Sequence, residues 1–181
     1  MKIVKRILLG LLGLFALLLV IGLFLPSTWH VERSVTVAAP PEAIAPLIVD
    51  LRQWEQWAAW NNAMDPTMVT DYAGPPSGVG ASMTWRGDEM GQGTMVITKV
   101  APGRVEYDMS LEEQGTPAHG QFILEAAGGE TTVTWIDEGD MGWFIPGRYF
   151  IPALESMLGE HFQIGLDRLR PLAEARASAA S

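Results

Sequence analysis

The chain is 181 residues long and contains no cysteine, which excludes disulfides, thiolate zinc sites, iron–sulfur clusters and cysteine nucleophiles. Its net charge of −9 is uneven: Lys2, Lys5 and Arg6 give the first 26 residues +3, while the rest carries 9 basic and 21 acidic side chains. A domain that acidic is repelled by phosphate backbones and anionic surfaces, so a nucleic-acid partner is not expected.

After a basic flank at 1–6, Ile7 to Leu25 is an uncharged run of nineteen residues, ILLGLLGLFALLLVIGLFL. As a helix it reaches about 28 Å, near the hydrocarbon thickness of a bilayer. A cleaved signal peptide has a shorter apolar core, about 7–15 residues, and a small-x-small site, which PSTWHVERS does not offer. A helix apolar on every face would need a partner on every face to be buried in a soluble protein. The expectation is therefore a transmembrane helix over 7–25, a short linker at 26–28, one domain over 29–175 and a disordered tail at 176–181. Basic residues ahead of the span place the N-terminus in the cytoplasm and the domain outside it, single-pass, in the periplasm if the source is Gram-negative.

From Trp29 to Val37 apolar and polar residues alternate, which predicts a strand. Pro40–Pro41 stops it, and Pro41 suits the first turn of a helix carrying Ile44, Leu47, Ile48 and Leu51, shortened or kinked by Pro46. WEQWAAW predicts a second short helix whose Trp54, Trp57 and Trp60 pack it onto the end of the sheet. Six strands follow: Thr67–Tyr72, Ala81–Arg86, Thr94–Val100, Arg104–Leu111, His119–Glu125 and Thr131–Asp137. The breaks between them fall at 74–76, 87–91, 102–103, 115–117 and 128–129. Such close spacing argues an antiparallel meander with one face in the core. MGWFIPGRYFIP is broken by Gly and Pro; its Trp143, Phe144, Tyr149 and Phe150 either form a buried loop, touch the bilayer or gate a cavity. A long helix starts near Ala153, with Leu154, Met157, Leu158, His161, Phe162, Gly165, Leu166, Leu169 and Leu172 at helical spacing. The small, polar EARASAAS is expected to fray. The fold class is α+β: a curved antiparallel sheet, β-α-α-β6, around a long C-terminal helix.

The strand leading into AAPPEAI, the tryptophan-rich WEQWAAWN, WRGDEMGQGTMVITKV, ETTVTWIDEGDMG and the closing ESMLGEHFQIGLDRLRPLAE together resemble the START-like, or SRPBCC, superfamily. This is the polyketide cyclase/dehydrase and lipid transport group. The likeness spans roughly Trp29 to Ala175 and implies a helix-grip fold with a hydrophobic cavity between sheet and C-terminal helix. It implies no particular chemistry, since fold does not supply function. A membrane anchor departs from the soluble form commonest in that group.

Trp85, Met95, Tyr107, Met109, Phe122, Trp135, Phe162 and Leu166 fall on inward faces and are the expected ligand-binding set; as plain core they would fill the same space. His161, on the helix stripe, and Arg86, beside the Gly87 turn, are the two candidates for catalysis. The alternatives are a hydrogen-bonded helix-face histidine and a charged hairpin tip. His30, at the membrane exit, and His119 read as interfacial and exposed. The cluster Asp137, Glu138 and Asp140 reads as a solvated loop, with an oxygen-ligated cation as the alternative. The three histidines lack metal-ligand spacing, and no phosphate-binding Gly-Lys loop or Rossmann fingerprint appears, so no metal and no cofactor are expected. The expected partners are the membrane, through 7–25, and an apolar small molecule or lipid; no protein partner can be named. The leading expectation is a non-catalytic, membrane-tethered binding domain. Its alternatives are a cyclase/dehydrase-like enzyme on an apolar substrate and an envelope interaction or stress module without ligand.

Overall fold

The structure, a computed structural model, describes residues 2–111 and 116–180. Helix α1 (Lys2–Phe24) leads into β1 (Thr28–Val37), α2 (Pro41–Val49), a 3₁₀ turn at Leu51–Gln53 and α3 (Trp54–Trp57). Six strands follow: β2 (Val69–Ala73), β3 (Ser82–Gly87), β4 (Gly91–Ala101), β5 (Arg104–Leu111), β6 (Thr116–Ala127) and β7 (Glu130–Asp140). The one-turn α4 (Ile145–Arg148) and the long α5 (Ile151–Ala180) close the chain. The helix-grip expectation holds: the strands form one antiparallel sheet in the order β1-β7-β6-β5-β4-β3-β2, and α5 lies across its concave face.

Among the described residues, one helix, Ile3–Phe24, is long and apolar enough to cross a membrane, and nearly all of its side chains are exposed. The last strand returns beside the first, with Thr28 opposite Asp140 and Val37 opposite Thr131. This register defines two ends of the sheet. Thr28, Asp140, Ala118, Leu111, Gly91 and Gly87 lie at the end where α1 joins, and the 101–104 and 127–130 turns lie at the other.

The core follows from two periodicities. Along β5, Val105 and Tyr107 point in; along α5, Leu158, Phe162, Leu166, Leu169 and Ala173 repeat at helical spacing and are buried against the sheet. Three large aromatics on the concave face each lie across a strand from a glycine: Trp29 opposite Gly139, Trp85 opposite Gly93, Tyr107 opposite Gly120. A Cβ at any of these glycines would run into the facing ring. The absent side chain lets each ring lie down on the neighbouring strand instead of standing off the sheet. Gly165 plays a related part on α5, where a Cβ would come within 3.1 Å of the Trp135 ring.

Several expected boundaries move. The helix expected over WEQWAAW ends at Trp57. Strand β4 begins at Gly91, ahead of Thr94, because Gly91–Gly93 pair with β3 through backbone alone. Thr116 and Pro117, expected in a break, already belong to β6; Gly115 lies outside the described residues. The long helix begins at Ile151, with Pro152 in its first turn, where the missing N–H has no intrahelical partner to lose. The expected disordered tail at 176–181 is corrected: α5 continues through Ala180, and Ala177 packs against the core; Ser181 lies outside the described residues. Alanine and arginine are strong helix formers, and a tail of Arg176 with three alanines extends a helix already docked.

Candidate functional site

The concave face carries an aromatic stack. The Trp135 ring lies 4.0 Å from that of Phe162 and nearly parallel to it, with Phe122 at 4.8 Å. Trp54 meets Tyr107, Phe122 and Trp135 edge-on at 5.7–5.8 Å. Each buried indole needs an acceptor for its N–H. Trp54 donates to the Ile48 carbonyl (2.8 Å), Trp57 to the Leu47 carbonyl (3.0 Å) and Trp135 to the Tyr107 hydroxyl (2.8 Å). The Tyr107 hydroxyl donates in turn to Asp137 Oδ2 at 3.3 Å, completing a buried chain from Trp135 to Asp137.

Asp137 is a correction to the sequence reading. Only 1% exposed, it is no solvated loop residue; Glu138 beside it is exposed and bonds His30. Burial pushes its carboxyl up to about 7, against the opposing pull of the Tyr107 hydroxyl and the Glu138 backbone N–H. Its parity on β7, two residues beyond Trp135 and four beyond Val133, is the signal that marks it as inward-facing. Among the described residues no group of three side chains comes together to hold a metal ion.

Between stack and helix only a slot of about 30 Å³ stays open, room for roughly one water. Six of the eight expected ligand-binding residues border it: Trp85, Met95, Tyr107, Met109, Trp135 and Phe162. Phe122 and Leu166 are wholly buried beneath it as core. His161 borders it too. Arg86 does not: it points from the outer face of β3 and pairs with Asp71 at 3.5 Å, so it has no access to the slot.

The larger space is a vestibule of about 640 Å³ at the α1 end of the sheet. That volume lies within the range of small-molecule sites. Trp60, Met109, Leu158 and His161 border both spaces and join them. Five of the nine methionines, Met64, Met90, Met109, Met141 and Met157, line the vestibule. Unbranched and polarizable, they make a wall that reshapes around irregular apolar molecules. The rim hairpin at 87–91 is fastened by Asp65, a fully buried residue absent from the sequence reading. Its carboxylate accepts from the Thr67 hydroxyl (2.5 Å) and N–H (2.9 Å), and from the Glu89 (2.9 Å) and Met90 (3.0 Å) N–H groups. The Thr67 hydroxyl above all, then these N–H bonds, hold its pKa at about 2 in spite of burial.

Four buried polar atoms bordering these spaces have no partner among the described residues: Trp29 Nε1, Trp60 Nε1, His161 Nδ1 and Asp137 Oδ1. The His161 ring stands edge-on to Trp60 at 5.4 Å, and burial lowers its pKa, with Glu160 opposing. A larger concavity of about 800 Å³ opens on the outer face of the sheet. Two of its histidines pair with acids in the same lining, His119 with Asp108 (2.8 Å) and His30 with Glu138 (3.0 Å), and Trp29, Met109 and Ala118 border both this concavity and the vestibule.

Solved structures share this architecture. The Zhui aromatase/cyclase from Streptomyces sp. R1128 superposes with a TM-score of 0.62 at 17% identity, covering 85% of this chain and 98% of that one. Protein CV1439 from Chromobacterium violaceum gives 0.57 at 17% identity, over 82% and 97% of the two chains. A solution structure from Thermobifida fusca gives 0.57 at 20%, over 82% and 93%. No curated protein matches at the sequence level. At such identities the likeness fixes the fold alone. The family described as polyketide cyclase / dehydrase and lipid transport matches residues 28–174, the whole span from β1 through most of α5, and the chain belongs to that family.

Proposed function

We propose that this is a membrane-tethered, non-catalytic binding domain for an apolar small molecule or lipid. The vestibule carries this reading: about 640 Å³, walled by methionines and continuous with an aromatic slot. An apolar ligand there gains from leaving water, roughly 25 cal/mol per Å² of surface buried. The unpaired nitrogens Trp29 Nε1, Trp60 Nε1 and His161 Nδ1 offer hydrogen bonds to one polar head on such a ligand. Helix α1, its apolar side chains exposed, serves as the anchor, with the basic flank in the cytoplasm and the domain on the other side of the membrane.

The test is native mass spectrometry and lipid extraction of the full chain released gently from membranes. Bound lipid or another apolar molecule, reduced in a Met157→Trp variant that fills the vestibule, supports the reading. An empty protein that also ignores fatty acids, phospholipids and flat aromatics overturns it and favours an interaction module.

One observation favours a second reading, an enzyme acting on an apolar substrate. Asp137, its carboxyl raised by burial to about 7, and the His161 ring border one slot, which places a carboxyl that titrates near neutrality and an imidazole on the same space. Turnover of a polyketide-like substrate, abolished by Asp137→Asn with binding retained, would establish it.

A further inference from the structure

Residues 141–150 leave the sheet at Asp140 and run back along the last turns of α1 before α5 begins. The Arg148 guanidinium contacts the carbonyls of Gly22, Leu23 and Leu25 at 3.4 Å each and that of Gly142 at 2.7 Å. A helix leaves its last carbonyls without intrahelical donors, and a cation there also meets the negative end of the helix dipole. Ile145 and Tyr149 pack against Gly22, where a Cβ would strike the Ile145 side chain. The Tyr149 hydroxyl donates to the Leu18 carbonyl at 2.5 Å. Leu18 lies six residues before the helix end at Phe24, about 9 Å down the axis.

That depth decides where the segment sits. If α1 spans the bilayer, the turn bearing Leu18 is inside the hydrocarbon, and Tyr149 lies beside it. The other side chains agree. Trp143, Phe144 and Phe150 are 88%, 62% and 67% exposed, and none packs in the core. Five backbone N–H groups of the segment are satisfied locally: Phe144 to Met141, Ile145 to Trp143, Gly147 to Phe144, Tyr149 to Pro146 and Phe150 to Gly147. A segment with most of its N–H groups paired internally and its aromatics facing outward is suited to lipid, where unpaired backbone groups are costly. No acidic side chain interrupts 141–154.

We propose that residues 143–150 form a wedge that enters the membrane alongside the last turns of α1, clasped to them by Arg148, and that it holds the mouth of the vestibule at the lipid surface. Met141 ties the two together: it lines the vestibule, and its N–H bonds the Ser27 carbonyl (2.9 Å) just past α1. Leu154 and Met157, in the first turns of α5 after the wedge, line the vestibule as well. The molecule taken up is then one dissolved in the bilayer, reaching the mouth from the lipid side. The wedge rests on the reading of α1 as a membrane span.

The natural lack of cysteine makes the test direct. Trp143→Cys, Phe150→Cys, Leu12→Cys and Ala127→Cys, each in the full chain, are spin-labelled and reconstituted into phosphatidylcholine vesicles. Collision with oxygen, which partitions into lipid, is compared with collision with a water-soluble nickel chelate. Labels at 143 and 150 should show an oxygen-to-nickel ratio several-fold above that at 127, which sits at the far end of the sheet, and approaching that at 12. A lipid-like ratio at 12 with water-like ratios at 143 and 150 overturns the wedge and leaves the anchor standing. Water-like ratios at all four positions overturn both. If a cysteine disturbs the fold, quenching of tryptophan emission by brominated lipid in the native chain and in Trp143→Phe gives the same readout. An unchanged quenched fraction then counts against the wedge.

Discussion

The middle of the concave face and its α1 end both draw on aromatics and methionines and differ in how these are used. In the middle, Trp54, Tyr107, Phe122, Trp135 and Phe162 close on one another and leave about 30 Å³. At the α1 end, methionines and loop residues from several elements leave about 640 Å³. Flat, rigid rings stacked between sheet and helix fill space to interior density, whereas at the mouth flexible methionines from several elements line an open space without closing on one another. An aromatic on an inward face is thus poor grounds for expecting a cavity; position along the strand matters more than residue type.

The sharpest way to break the contrast is to open the filled middle. Trp135→Ala removes the ring between Phe162 and Phe122 and should lower stability by about 3–5 kcal/mol in chemical denaturation. The same variant should bind a small aromatic such as indole, with partial recovery of stability. A stability loss under about 1 kcal/mol would mean that the stack is loosely packed.

Next in size is the buried carboxyl. Folding favours the neutral form of Asp137, so its contribution is full below about pH 4 and is lost as pH rises toward 7. Asp137→Asn keeps a hydrogen-bonding partner for Tyr107 without the charge. It should flatten the dependence on pH between about 4 and 7 and gain on the order of a few kcal/mol over the native chain at about pH 8. Parallel curves for the two proteins would refute the assignment.

At the open end Asp65 works in the opposite sense. Its depressed pKa gives stability that is present above about pH 4 and lost as pH falls toward 2. Protection of the Glu89 and Met90 amides, measured against their intrinsic exchange rate at each pH, should fall in that acid window in the native chain. In Asp65→Asn it should be low at neutral pH already.

The smallest effect on stability is expected from Met157→Trp, within about 0.5 kcal/mol, since Met157 is partly exposed. Its ligand content should nevertheless fall several-fold, which separates vestibule from slot as the place of binding.

Much of this fold was legible in the chain. Alternation along Trp29–Val37 and Arg104–Leu111 gave both strands nearly to the residue, and the Leu158–Leu169 stripe gave the face of α5 that grips the sheet. The site was legible in composition and not in arrangement. Inward aromatics could be named, but whether rings meet or stand apart depends on register, and register placed the glycines opposite Trp85 and Tyr107. The vestibule draws on α5, the 61–68 turn, the 87–91 hairpin and the start of β1, residues far apart in sequence with no shared period. Asp137 hid in plain view, because DEGD reads as a solvated run unless strand parity is carried one step past Trp135.

The three pairings of aromatic with glycine make the interior asymmetric towards change. Shrinking Trp85 would enlarge the slot from one side and leave the facing strand untouched, since glycine already demands nothing of the space above it. Tyr107 is held in place by its hydroxyl, which serves Trp135 and Asp137. Enlarging Gly93 or Gly120 instead would force the ring up and the strands apart. At the Trp85 pair one strand is therefore free to drift and the other is fixed, so a lineage built on this sheet can resize its interior by a single replacement while its backbone stays the same.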